Sequence, residues 1–116
     1  MMDHLIEKLH TGPSALVLLH EGNVSAYSGV GVRSLYHLLH DAPEKLLDSK
    51  LAVKAVGSTA AKAMVEGKVA EVYADIISET AADILKDAGV RLSYDRKVPH
   101  REFLHVWERL GELSNE

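Results

Sequence analysis

The sequence predicts an α/β domain with a sheet covered on both faces. Strand-like and helix-like segments alternate along the chain, the pattern of strand–crossover–strand units. The run Ala15–Leu19 is continuously apolar, as expected of a strand buried on both sides. With 116 residues, 47% hydrophobic and 26% charged, the chain has the size and mixture of one globular domain, residues 1–116. No linker, low-complexity stretch or repeat divides it.

The elements follow in order. Asp3 is expected to cap a short helix with Leu5, Ile6 and Leu9 inward, ended by Gly12-Pro13. Ala15–Leu19 and Val24–Tyr27 read as a hairpin around the turn Glu21-Gly22-Asn23, the returning strand having one wet face. A helix from about Arg33 carries Leu35, Leu38 and Leu39. Pro43 interrupts it, and Glu44 to Asp48 gives a further helical turn. Leu51–Val56 is the third strand. Gly57-Ser58 opens a helix with Ala60, Ala61, Met64 and Val65 on its apolar side, closed by Gly67. Val72–Ile77 is the fourth strand. Ser78 caps a helix with Ala81, Ile84, Leu85 and Ala88 at helical spacing, and Gly89 stops it. Val90–Tyr94 alternates and reads as an edge strand. Pro99 begins a last helix carrying Phe103, Val106, Trp107, Leu110 and Leu113. Right-handed crossovers put the second and third helices on one face.

Composition excludes several classes. There is no cysteine, so disulfides, thiol nucleophiles and thiolate-bound zinc are ruled out. Lys and Arg number 13 against 17 Asp and Glu, a net charge of −4, which does not suit a duplex-binding protein. The dense basic stretch Arg96, Lys97, His100 and Arg101 reads as a solvated loop. No apolar run approaches the roughly 20 residues of a membrane span, and Met1-Met2-Asp3-His4 lacks a secretory pattern. The default expectation is a cytoplasmic protein with neither nucleic acid nor membrane as partner.

The order of hairpin, then strand–helix repeats, resembles that of the cytidine-deaminase-like proteins. The resemblance implies a three-layer α/β/α sandwich around a five-stranded mixed sheet. The zinc enzymes of that fold carry H-x-E or C-x-E at the helix after the hairpin and P-C-x-x-C at the next helix. Here those places read Gly31-Val32-Arg33-Ser34-Leu35 and Val56-Gly57-Ser58-Thr59-Ala60-Ala61, without His, Cys or Glu. Ala52 to Ala61 is similar to the A-D-K-V-V-G-K-A-A-A signature of a prokaryotic family of unknown function that has this fold without zinc motifs. Lys54, Val56, Gly57, Ala60 and Ala61 match it. Val53, Ser58 and Thr59 depart from it. Ile76-Ile77-Ser78-Glu79 before an alanine-rich helix is also similar, whereas the segment from Pro99 on is not. The resemblance implies neither zinc nor any other cofactor.

Lys54 with Gly57-Ser58-Thr59 is the best local candidate for a binding site. A strand leading through a Gly-Ser-Thr turn into a helix offers free backbone N–H groups and the positive end of a helix dipole. Two hydroxyls and one ammonium would suit a phosphate or carboxylate. The alternative is an ordinary helix cap. Arg33 and Ser34 hold the matching helix start, where a guanidinium can grip an anion bidentately. His37 and His40 lack the companions a metal site requires. Ser78-Glu79-Thr80 lacks a base and an oxyanion hole and reads as a cap. The expectation is an uncharacterised, non-catalytic binding protein for an anionic or nucleotide-like small molecule. The alternative is an interaction module whose ancestral site is filled. The final helix with Trp107 adds the expectation of a homo-oligomer.

Overall fold

The computed structural model describes residues 2–12, 14–28, 31–99 and 101. The elements are α1 (Met2–Thr11), β1 (Ser14–His20), β2 (Asn23–Ser28), α2 (Gly31–Asp41), a 3-10 turn at Pro43–Lys45, β3 (Lys50–Val56), α3 (Ser58–Glu66), β4 (Glu71–Ser78), α4 (Glu79–Asp87) and β5 (Arg91–Val98). All five expected strands are present, in one sheet of order β2-β1-β3-β4-β5. β1 is antiparallel to both neighbours, while β3, β4 and β5 run parallel. This is the five-stranded mixed sheet that the element order implied. The final helix expected from Pro99 falls, with His100 and residues 102–116, outside the described residues.

Residue chemistry accounts for the joints. His20 pairs with Asn23, leaving a two-residue loop in which Glu21 and Gly22 have φ of 50° and 81°. Positive φ at both positions is the type I′ geometry that matches strand twist, and Gly22 adopts it without a Cβ clash. Before β3 and β4, Asp48 and Lys68 both take positive φ, 58° and 61°, and the Asp48 N–H donates to the Lys68 carbonyl at 2.9 Å. The starts of two adjacent parallel strands are thereby tied to each other. The Ser49 hydroxyl, fully buried, donates to the Leu46 carbonyl at 2.7 Å.

The layers follow from the strand faces. Leu16, Leu18, Leu51, Val53, Val72 and Ala74 face one way and build the main core with Leu35 and Leu38 of α2, Ala60, Ala61 and Met64 of α3, and Ala81 and Leu85 of α4. Val17, Ala52 and Tyr73 face the other way, onto Leu5 and Leu9 of α1. Helices two and three share a face as expected, and α4 joins them. The alternation slips once: Val56 and Ile77 return to the main core, whereas Ala55 and Ile76 pack with Val98. The slip falls at the level of Lys54 and Asp75, between the pairs Val53–Ala74 and Ala55–Ile76.

Three local expectations are corrected. α1 starts at Met2, so Asp3 lies inside the first turn, where its charge favours the helix dipole instead of capping. α2 begins at Gly31, two residues before Arg33. Arg96 and Lys97 are not in a loop, because β5 continues to Val98 alongside the whole of β4. The ladder overrides their polarity, and an edge strand can carry charge on the side that faces water.

Candidate functional site

Strand directions determine where the helices begin. β2 and β3 point the same way, because each is antiparallel to the β1 between them. β4 is parallel to β3. The C-terminal ends of β2, β3 and β4 therefore lie along one sheet edge, and α2, α3 and α4 all start there, on the same face. β2 and β3 stand two strand spacings apart, about 10 Å. The two helix starts singled out in the sequence thus share one edge.

The starts differ in how they are capped. At α4 the Ser78 hydroxyl accepts from the Ala81 N–H at 3.0 Å, the side-chain cap the sequence predicted. At α3 the N-cap is Gly57, in extended conformation, with no side-chain cap. The Gly57 carbonyl accepts the first helical bond, from the Ala61 N–H. The N–H groups of Ser58, Thr59 and Ala60 precede that bond and have no intrahelical acceptor. Gly57 and Ser58 are half-buried and Thr59 is exposed. Lys54, half-buried, lies three residues upstream in β3 and level with Asp75 of β4. Arg33 and Ser34 lie in the first turn of α2, and their side chains are outside the described residues.

Zinc does not fit this edge. Neither helix start supplies an imidazole, thiolate or carboxylate. Among the described residues no group of three His, Cys, Asp or Glu could hold a metal ion. His37 and His40 both belong to α2, and His37 Nδ1 stands 3.7 Å from Asp41 Oδ2 in an exposed i, i+4 pair.

A second polar group was not legible in the sequence. His10 of α1 and Tyr73 of β4 converge on Asp75: His10 Nε2 lies 2.6 Å from Asp75 Oδ1, and the Tyr73 hydroxyl donates to the same oxygen at 2.7 Å. The His10 ring meets the Tyr73 ring edge-on, with centroids 6.3 Å apart. Burial, and then the adjacent Asp75 carboxylate, push the Tyr73 hydroxyl above its ordinary pKa. His10 and Asp75 are 65 residues apart, so no short motif announces them. They join α1 to the sheet on the face opposite α2, α3 and α4. A surface concavity of about 330 Å³ lies elsewhere, lined by Tyr27, His37, Leu38, Asp41 and Ala42 toward the C-terminal end of α2. The Asp41 carboxylate on its wall is the wrong sign for an anion. No described helix is long and apolar enough to cross a membrane.

Known proteins give the following likenesses. The chain is similar to the crystal structure of a DUF1893 family protein (TM1506) from Thermotoga maritima, with a TM-score of 0.71 and 20% identity, over 84% of this chain and 66% of that one. It thus spans 66% of that protein's length, and at this identity the likeness concerns the fold. It also aligns with a diaminohydroxyphosphoribosylaminopyrimidine deaminase/5-amino-6-(5-phosphoribosylamino)uracil reductase from Thermotoga maritima, with a TM-score of 0.45 and 14% identity, over 98% of this chain and 38% of that one. Among curated proteins none matches. Residues 4–102 match the family described as TM1506, Domain of unknown function (DUF1893), and the chain belongs to that family.

Proposed function

We propose that this chain is a non-catalytic binding protein for an anionic, nucleotide-like small molecule, held between the starts of α2 and α3 on a zinc-less deaminase-like scaffold. The observation that carries this reading is the uncapped start of α3 at an edge where α2 and α4 also begin. Parallel helix starts on one face add their positive ends, and unpaired N–H groups there suit phosphate or carboxylate oxygens. Gly57, Ser58 and Thr59 would hold the anion through backbone and hydroxyl groups. Arg33 and Lys54 would supply charge, and Ser34 a further hydroxyl. The nucleotide-like part rests on fold analogy alone. A chain with a net charge of −4 needs such a local concentration of positive potential to hold an anion at all.

The test is a thermal-shift series with inorganic phosphate, nucleoside monophosphates and sugar phosphates. A ligand at 100 times its Kd stabilises the native state by about 2.7 kcal/mol. The expected result is a rise in Tm that grows with ligand concentration and is lost in Arg33→Ala. No shift with any of these anions would remove the proposal.

A further inference from the structure

We propose that the concavity at the C-terminal end of α2 binds a small organic cation, an ammonium group carried on an apolar body. The concavity, about 330 Å³, is lined by Tyr27 of β2 and by His37, Leu38, Asp41 and Ala42. That volume is at the lower end of the range for small-molecule sites. Arg33 lies in the first turn of α2 and Asp41 is its last residue, so this site is separate from the anion site proposed above.

Its floor is apolar and held by the core. Leu38 is buried within the main core, and Tyr27 packs against that core from β2. Tyr27 is level with Leu16 of β1, another residue of the same core. Ala42 is half-buried. His37 and Asp41 are exposed, with 3.7 Å between Nδ1 and Oδ2, and they supply the polar part of the wall.

The charge at this end selects a cation. The Asp41 carboxylate sits where α2 stops, and a helix C-terminus itself carries partial negative charge. Pro43 preserves that charge. The Ala42 N–H donates to the Leu38 carbonyl at 2.9 Å, and the next donor in line would be residue 43, a proline without an N–H. Among the described residues, no backbone N–H donates to the carbonyls of Leu39, His40 or Asp41. The lining includes neither Lys nor Arg. The Tyr27 ring adds an electron-rich surface that attracts cations. An exposed carboxylate alone holds a cation weakly, so the apolar floor has to contribute. Leu38, Ala42 and the tyrosine ring can take hydrocarbon out of water. An ammonium on an alkyl or aryl body matches both parts. An inorganic cation leaves the floor unused, and a neutral molecule leaves the carboxylate unused.

The test titrates phenethylammonium into the full chain and follows the backbone amides by NMR. At about pH 8 an ordinary imidazole is neutral and does not compete for Asp41. Shifts should centre on the five lining residues. Phenethyl alcohol, the same body without the charge, should bind about fivefold more weakly, and hydrocinnamate more weakly still. Asp41→Asn, a surface change, should weaken phenethylammonium by about the same factor, with folding checked by circular dichroism. Tyr27→Phe keeps the ring and should keep the affinity. Arg33→Ala should leave it unchanged, which separates this site from the anion site. Amide shifts absent from the lining residues, equal binding of the alcohol, or an affinity unchanged in Asp41→Asn would each overturn the proposal.

Discussion

Gly67 closes α3 against Leu46: a Cβ added at Gly67 would lie 2.7 Å from Leu46 Cδ1 and 3.0 Å from Leu46 Cβ. The glycine is not needed for its backbone angles, since its φ of −78° suits any residue. It is needed because Leu46, fully buried, occupies the space where a side chain would begin. Gly67→Ala should therefore destabilise by about 1–3 kcal/mol, the usual cost of overpacking. In a Leu46→Ala background the same change should cost less, because the nearest opposing atom, Cδ1, is gone while Cβ remains. Urea titration of the four chains measures the coupling.

The contrast between the caps of α3 and α4 makes a paired prediction. Ser78→Ala should cost about 1 kcal/mol, because the Ala81 N–H loses its acceptor in a fully buried place. Ser58→Ala should change stability by only a few tenths of a kcal/mol, because that hydroxyl caps nothing. Thermal unfolding of the two variants separates them. Ser58→Ala acts instead on anion affinity, according to the proposed function.

Tyr73 predicts how stability behaves at high pH. Its hydroxyl is raised by burial and by Asp75, so the folded state resists ionisation that the unfolded chain undergoes near pH 10. A raised folded value gives stability that is whole below the unfolded pKa and falls as pH climbs beyond it. Wild type should lose stability above about pH 10 more steeply than Tyr73→Phe. Near neutral pH, Tyr73→Phe should cost about 1 kcal/mol for the lost bond to Asp75. Denaturant melts between pH 7 and 11 test both statements.

For Arg33 the expected outcome concerns binding. Replacing it with alanine should weaken anion affinity by about 1.5–3 kcal/mol, the range for a hydrogen bond to a charged group. The melting temperature without ligand should stay level or rise slightly, since a cation in the first turn opposes the helix dipole. Calorimetric titration with the best ligand from the thermal-shift series gives the number. Unchanged affinity would remove Arg33 from the site.

The sequence made the repeating part of the fold legible. From Leu51 to Gly89 each strand is an apolar run and each helix carries its own stop, so local signals and tertiary packing agree. The hairpin was readable from Glu21-Gly22-Asn23 for the same reason. β5 was placed but cut short, because Asp95, Arg96 and Lys97 look like loop residues until pairing with β4 is known. The shared edge of the two helix starts followed from topology. Lys54 was selected by type and spacing, but its level with Asp75 depends on parallel register, which no local pattern encodes. His10, Tyr73 and Asp75 were missed because two of them lie 65 residues apart.

The strand order has a consequence for how the chain folds. The β3–β4 and β4–β5 ladders join residues about twenty positions apart, as in Lys50–Glu71 and Glu71–Arg91. The longest reach in the sheet is Leu16 to Val53. Apart from the β1–β2 hairpin the ladders are non-local pairings, two of them parallel, which makes folding slower than in a domain of local contacts. The contacts of α1 reach further along the chain, from His10 to Asp75 and from Leu5 and Leu9 to Tyr73. The sheet and its three-helix layer can assemble before α1 settles, so amide exchange should be slowest along β3 and β4 and fastest in α1.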